Sequence, residues 1–147
     1  MSLEEYQENK DGKYMFHGSI HKLDSLKPMK ATDSNGTLAN IDTAIFLSSD
    51  FLGAIPYAFK DTIRECSKGL PWSFSVSNSK DNPIRMKMKN VRVDPTIEGY
   101  VDVFEKTGDM VNDPAGSIQY KCYKNLTPKQ VLKVKYEDYA KYFEIEK

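Results

Sequence analysis

Residues 44–59 read Ala44-Ile45-Phe46-Leu47-Ser48-Ser49-Asp50-Phe51-Leu52-Gly53-Ala54-Ile55-Pro56-Tyr57-Ala58-Phe59. A short apolar run passes into a polar triplet, and the triplet passes into an amphipathic pattern. Ala44 to Ser48 is too short for a helix and reads as a buried strand. Ser48, Ser49 and Asp50 are helix-capping residue types. Phe51, Leu52, Ile55, Ala58 and Phe59 then follow the i, i+3, i+4, i+7 spacing of one helix face. Pro56 inside that pattern predicts a kink or a short break. Asp61 to Cys66 add a further turn before Lys68-Gly69 ends the helix.

Upstream, Tyr14-Met15-Phe16-His17-Gly18 is short, aromatic and closed by glycine, and it reads as a second buried strand. Residues 1–12, through Asp11-Gly12, read as a charged lead-in. Residues 24–42 form a long connection with its clearest turn at Asp33-Ser34-Asn35-Gly36; loops of this length often cover a binding site. Downstream, period-two alternation marks strands at 72–76, 84–89, 100–104, 117–122 and 130–134. Tyr136 to Phe143 reads as one short closing helix. The pattern predicts a single α+β domain over residues 1–147. It has curved, mostly antiparallel sheets, one main helix and a short C-terminal helix. Short apolar strands need cover on both faces, so the strand with His17 is expected beside strands of the C-terminal half.

Composition narrows the function classes. The chain has 147 residues, which is one domain at about 100–200 residues per domain. Aromatic residues stand at 12% and charged residues at 29%, a globular and not a disordered profile. Lys plus Arg and Asp plus Glu are both 21, so no global field draws in nucleic acid or anionic lipid. No apolar run approaches a membrane span, and the N-terminus has neither the basic start nor the apolar stretch of a secretory leader. The chain is therefore read as cytoplasmic. Cys66 and Cys122 form no CxxC pair and have no His at metal spacing, so they read as ordinary thiols, and no metal site is expected. GxxxxGK[ST], GxSxG, HExxH and GxGxxG are all absent.

Two features stand out against this plain background. His17 ends a strand beside Gly18, where a bare backbone allows close approach of a ligand. The competing reading is a histidine that merely bonds a loop carbonyl. His21, in polar loop sequence, reads as solvated. Arg85, Lys87 and Lys89 alternate with Ile84, Met86 and Met88, with Arg92 nearby. That strip is either a phosphate or nucleic-acid contact or, as the neutral charge favours, a solvated outer face or a lysine-protected edge strand.

Tyr14-Met15-Phe16-His17-Gly18-Ser19, with Ile45-Phe46-Leu47-Ser48-Ser49-Asp50 leading into a helix bearing Pro56-Tyr57-Ala58, resembles the ADP-ribosyltransferase-like fold. The likeness extends to Gly99-Tyr100-Val101, Gln119-Tyr120, Pro128 and Val131-Leu132-Lys133-Val134, and so covers about residues 13–142. It looks like the small microbial and phage proteins of that fold related to the diphtheria toxin and poly-ADP-ribose polymerase branch. The resemblance implies NAD as cosubstrate. It implies that His17 bonds the adenosine ribose, that Gly18 offers its backbone to the nicotinamide carboxamide, and that Tyr57 stacks on the nicotinamide ring. Ser48 or Ser49 would stand at the pocket wall.

The third motif of that fold usually supplies a glutamate to the nicotinamide-side ribose. Here the matching residue is Gln119, which can hydrogen-bond a hydroxyl but cannot offer charge to a developing cation. Glu98 and Glu105 flank a neighbouring strand as substitute carboxylates, against their plain reading as solvated strand-end charges. Tyr57 has a plain reading too, as core on a helix face. The resemblance thus implies an NAD-binding mono-ADP-ribosyltransferase with weak or no turnover and an unnamed acceptor. A non-catalytic module that binds a nucleotide or a partner is the alternative. An RNA 2'-phosphotransferase-like enzyme comes third, because Arg64, Arg85 and Arg92 are the only arginines.

Overall fold

The computed structural model describes residues 3–22, 24–30, 43–69, 73–77, 81–112 and 118–146. The turn expected at 33–36, most of the long connection, Trp72 and Ser117 lie outside the described residues. In chain order the elements are α1 (Leu3–Glu8), β1 (Tyr14–Ser19), β2 (Met29–Lys30), β3 (Thr43–Ser48) and α2 (Phe51–Cys66). They continue as β4 (Ser73–Val76), β5 (Met86–Lys89), β6 (Glu98–Glu105), β7 (Met110–Asn112) and β8 (Gln119–Cys122), then β9 (Gln130–Lys135), α3 (Tyr136–Tyr139) and β10 (Phe143–Glu146).

The larger sheet runs β7-β8-β3-β1-β6-β9, with β2 also on β3, and every pairing in it is antiparallel. The smaller sheet runs β10-β5-β4. The architecture is α+β, one small domain with mostly antiparallel sheets and few helices. β1 lies beside β6 of the C-terminal half along its whole length, from Tyr14↔Glu105 to Ser19↔Tyr100.

Alternation along β1 and β6 divides the core in two. Phe16, Val101 and Val103 face α2 and join Phe51, Ala54, Ile55, Ala58, Phe59 and Ile63. Met15 and Phe104 face the other way and pack with Ile45, Leu47, Met110 and Cys122. α2 reaches the sheet closely because two glycines lie under it. A Cβ on Gly18 would stand 2.7 Å from the Ala58 nitrogen, and one on Gly99 would stand 2.8 Å from the Ala58 carbonyl carbon. The smaller sheet adds Met86, Met88 and Phe143 to the same core, so α2 is buried around most of its circumference. That enclosure explains why Pro56, itself buried, does not break the helix: packing outweighs the one backbone bond the ring removes.

Several elements depart from the sequence expectations. The stretch read as a charged lead-in contains α1, whose Tyr6 is buried and donates its hydroxyl to Gln130 Oε1 at 2.6 Å. The closing helix ends early; after a short 3-10 turn, Phe143 begins β10, which pairs in parallel with β5. Phe143 and Ile145 alternate with glutamates, a strand period hidden behind the helical spacing of the three tyrosines before it. β5 is the central strand of its sheet, not an edge, so its lysines guard no free edge. Lys87 and Lys89 are exposed as expected of a solvated face, but Arg85 precedes the strand and is buried.

Candidate functional site

The site expected from the sequence is built where β1 parts from β3. Among the described residues β1 pairs β3 at one position, Phe16↔Ser48, whereas β3 continues along β8 from Ser48↔Gln119 to Ile45↔Cys122. Phe16, Ser48 and Gln119 therefore form one row across three strands. Residues directly opposite one another share a sheet face, and the face of this row is the one that carries α2. Phe16 packs on Phe51 with ring centroids 5.4 Å apart. The Ser48 hydroxyl donates to the Asp50 carbonyl at 2.7 Å and accepts from the Asp50 N–H at 3.1 Å, fixing the turn before α2, whose N-cap residue Asp50 makes no side-chain capping bond. Gln119 is half-buried beside it, and its carbonyl accepts from Asn112 Nδ2 at 3.1 Å.

Backbone direction along β1 decides what Gly18 presents. The Lys13 carbonyl accepts from the Lys106 N–H at 2.9 Å, toward the β6 side. Tyr14 turns the opposite way. Its N–H donates to Asn9 Oδ1 at 3.0 Å and its carbonyl accepts from Asn9 Nδ2 at 2.9 Å, the same nitrogen that reaches the Ser49 carbonyl at 2.7 Å. Backbone groups alternate sides along a strand, so Tyr14, Phe16 and Gly18 all point theirs toward β3. Phe16 meets Ser48 there. Gly18 lies past that pair, so its N–H and C=O are directed toward β3 where no β1–β3 pair is made among the described residues. The position of its missing Cβ is filled by the backbone of α2, with the Tyr57 carbonyl carbon 3.1 Å away.

His17 stands on the opposite face of β1 from Phe16 and Gly18. Its cross-strand partner is Asp102 of β6, and Nδ1 lies 3.0 Å from Asp102 Oδ2. His17 is 24% exposed and Asp102 is fully buried, with Oδ1 lacking a hydrogen-bond partner among the described residues. Tyr57 is not core. It is 40% exposed on α2, with Lys60 Nζ 5.3 Å from its ring centroid. The structure thus brings Ser48 and Gln119 side by side and sets Tyr57 on the helix turn that crosses Gly18. It does not put His17 and Gln119 on one face: Gln119 is on the face of the sheet that carries α2, and His17 is on the opposite face.

Two residues near this site were not singled out from the sequence. Asp102 had a signal: it is the one charged residue within the apolar run Tyr100-Val101-Asp102-Val103-Phe104. Lys121 had none. It is 7% exposed, paired with Phe46 and two residues from Gln119 on the same face, with Nζ 5.8 Å from the Phe46 ring centroid. Glu98 and Glu105 are tied at the strand ends to Lys133 at 3.1 Å and Lys129 at 3.0 Å. A separate cleft of about 510 Å³ lies at the start of β1, lined by Asn9, Met15, Ser49, Asp50, Lys106 and Tyr120 among others; none of His17, Gly18, Ser48, Tyr57 and Gln119 lines it.

Among the described residues no helix is long and apolar enough to cross a membrane, and no three His, Cys, Asp or Glu side chains are grouped to hold a metal ion. Comparison with protein-family models, with curated proteins and with solved structures finds no match.

Proposed function

We propose that this chain is an NAD-binding domain with an ADP-ribosyltransferase-like fold, one that transfers or hydrolyses NAD slowly at most. The observation that carries the reading is the direction of the Gly18 backbone. A primary carboxamide has donors on nitrogen and an acceptor oxygen, so a single residue offering both N–H and C=O at an open strand edge is its complement. Tyr57, exposed on the helix that crosses Gly18, supplies a ring face for the nicotinamide. His17 takes a ribose hydroxyl on the far side. An extended dinucleotide laid where β1 parts from β3 meets both, with Ser48 and Gln119 along the wall.

Gln119 and its neighbour Lys121 favour binding over transfer. Departure of nicotinamide develops positive charge on the ribose carbon. A unit charge at 4 Å is worth about 4 kcal/mol at an effective dielectric of 20, or about three orders of magnitude in rate. A glutamate would contribute that with the favourable sign, whereas Gln119 contributes no charge and Lys121 contributes the unfavourable sign. The test uses nicotinamide and nicotinic acid as probes of the Gly18 amide resonance in 1H–15N spectra. Nicotinamide should shift it and nicotinic acid, whose carboxylate cannot donate to the Gly18 carbonyl, should not. Equal shifts from both, or none from either, would refute the reading.

A further inference from the structure

We infer that Asp102 sets the hydrogen-bond polarity of His17, so that the site takes a free ribose hydroxyl and rejects a ribose carrying a 2'-phosphate. The ribose half of this statement rests on the NAD reading; the polarity half rests on geometry. Asp102 is fully buried in the middle of β6, and its Oδ2 lies 3.0 Å from His17 Nδ1. The other oxygen, Oδ1, is buried without a hydrogen-bond partner among the described residues. A carboxylate removed from water in this way depends on whatever partner it has, and here that partner is His17. The proton shared by a carboxylate and an imidazole resides on nitrogen, the more basic atom. Nδ1 is therefore the donor, and in the neutral ring Nε2 is left as a bare acceptor.

The ring is 24% exposed while its carboxylate partner is not exposed at all, so the edge away from Asp102 is the one a ligand meets. A ribose hydroxyl can donate to that lone pair. A phosphate monoester has about −1.5 to −2 charge at neutral pH, and its dianion has only acceptor oxygens. It would face a lone pair with the Asp102 charge directly behind it. This polarity also opposes a 2'-phosphotransferase-like role, whose substrate would place such a phosphate in the site.

Two measurements test the inference. The first is the imidazole 15N shifts of His17 in the free protein, followed through a pH titration to the limb where the ring is neutral. Nδ1 should be protonated and Nε2 bare; a protonated Nε2 on that limb overturns the inference without touching the NAD reading. The second is calorimetric titration with NAD and with NADP at that same pH. Wild type should bind NAD at least about tenfold more tightly than NADP. In Asp102→Asn the side-chain amide can donate to Nδ1 and move the proton to Nε2, so the ratio should fall at least about threefold. An unchanged ratio in a variant that keeps the wild-type thermal midpoint overturns the inference and leaves the NAD reading standing. Should Asp102→Asn fail to fold, His17→Gln replaces it. Its amide both donates and accepts, so the ratio should fall in the same way, and an unchanged ratio again counts against the inference. Failure of wild type to bind either dinucleotide overturns the NAD reading and the inference with it.

Discussion

Arg85 reaches Asp50 at 2.7 Å, and both side chains are more than nine-tenths buried. The pair ties the approach to β5, in the smaller sheet, to the residue that opens α2, and so fixes the helix that crosses Gly18. Loss of one partner leaves a buried charge whose solvation is not restored, a cost of about 3–5 kcal/mol in comparable pairs. Arg85→Met should lower the urea midpoint accordingly. Asp50→Asn added to Arg85→Met should recover part of the loss, because no charge is then left behind. A double variant less stable than Arg85→Met would show that the two side chains act separately.

Gly18 and Gly99 should tolerate no side chain. The two nearest atoms a Cβ would meet at each belong to the backbone of α2, which cannot swing aside as a long side chain can. Gly18→Ala and Gly99→Ala should each destabilise by at least about 1–3 kcal/mol in thermal or chemical unfolding. Gly108→Ala, where nothing lies within 4 Å of the new atom, should stay within about 0.5 kcal/mol of wild type.

Stability should fall at alkaline pH before it would in a protein with exposed tyrosines. Burial pushes the Tyr6, Tyr136 and Tyr139 hydroxyls above the ordinary tyrosine value of 10.0. In the unfolded chain these groups lose protons near pH 10, as model tyrosines do, about where the folded protein still holds them. The folded state then binds more protons, so unfolding becomes easier as pH rises. Their contribution is full below that range and is lost as pH climbs through it toward the raised folded values. Absorbance titration should show Tyr6, Tyr136 and Tyr139 titrating late, and Tyr6→Phe should flatten part of the decline. Tyr6→Phe also removes the 2.6 Å bond to Gln130, costing about 0.5–1.5 kcal/mol at neutral pH.

Gln119→Glu should raise nicotinamide release from NAD by at least about tenfold, since size is nearly constant and only charge changes at the ribose. Lys121 stands two residues away on the same face and will offset part of the gain. Lys121→Gln added to Gln119→Glu should therefore release nicotinamide faster than Gln119→Glu alone. Robust release by wild type that survives Gln119→Ala would remove Gln119 from the site.

His17→Ala should weaken NAD binding by about 1–3 kcal/mol, the range for removing a hydrogen bond to a buried group. Calorimetric titration measures this directly. NAD affinity that ignores the substitution would place the ribose elsewhere.

Local pattern determined the parts of this protein that depend on neighbours in sequence. The passage from β3 into α2 needs only the polar triplet and the apolar spacing after it, and it was legible as such, although no side chain of the triplet makes a capping bond. The same holds for the alternating Met86 and Met88 of β5 and for β1 as a strand, which runs one residue beyond the His17-Gly18 pair. What depends on distant partners was not legible. Tyr6 looks like part of a charged tail until Gln130, 124 residues away, receives its hydroxyl. Arg85 looks like one more exposed base until Asp50 lies against it. Phe143 looks helical until β5 offers a strand to pair with. His17 showed as a candidate by its place beside glycine, but its polarity is set by Asp102, 85 residues on. A sequence carries propensity and periodicity, which act over a few residues; hydrogen-bond partners of buried polar groups, and the parting of β1 from β3 at Gly18, exist only once strands far apart in the chain are placed in register.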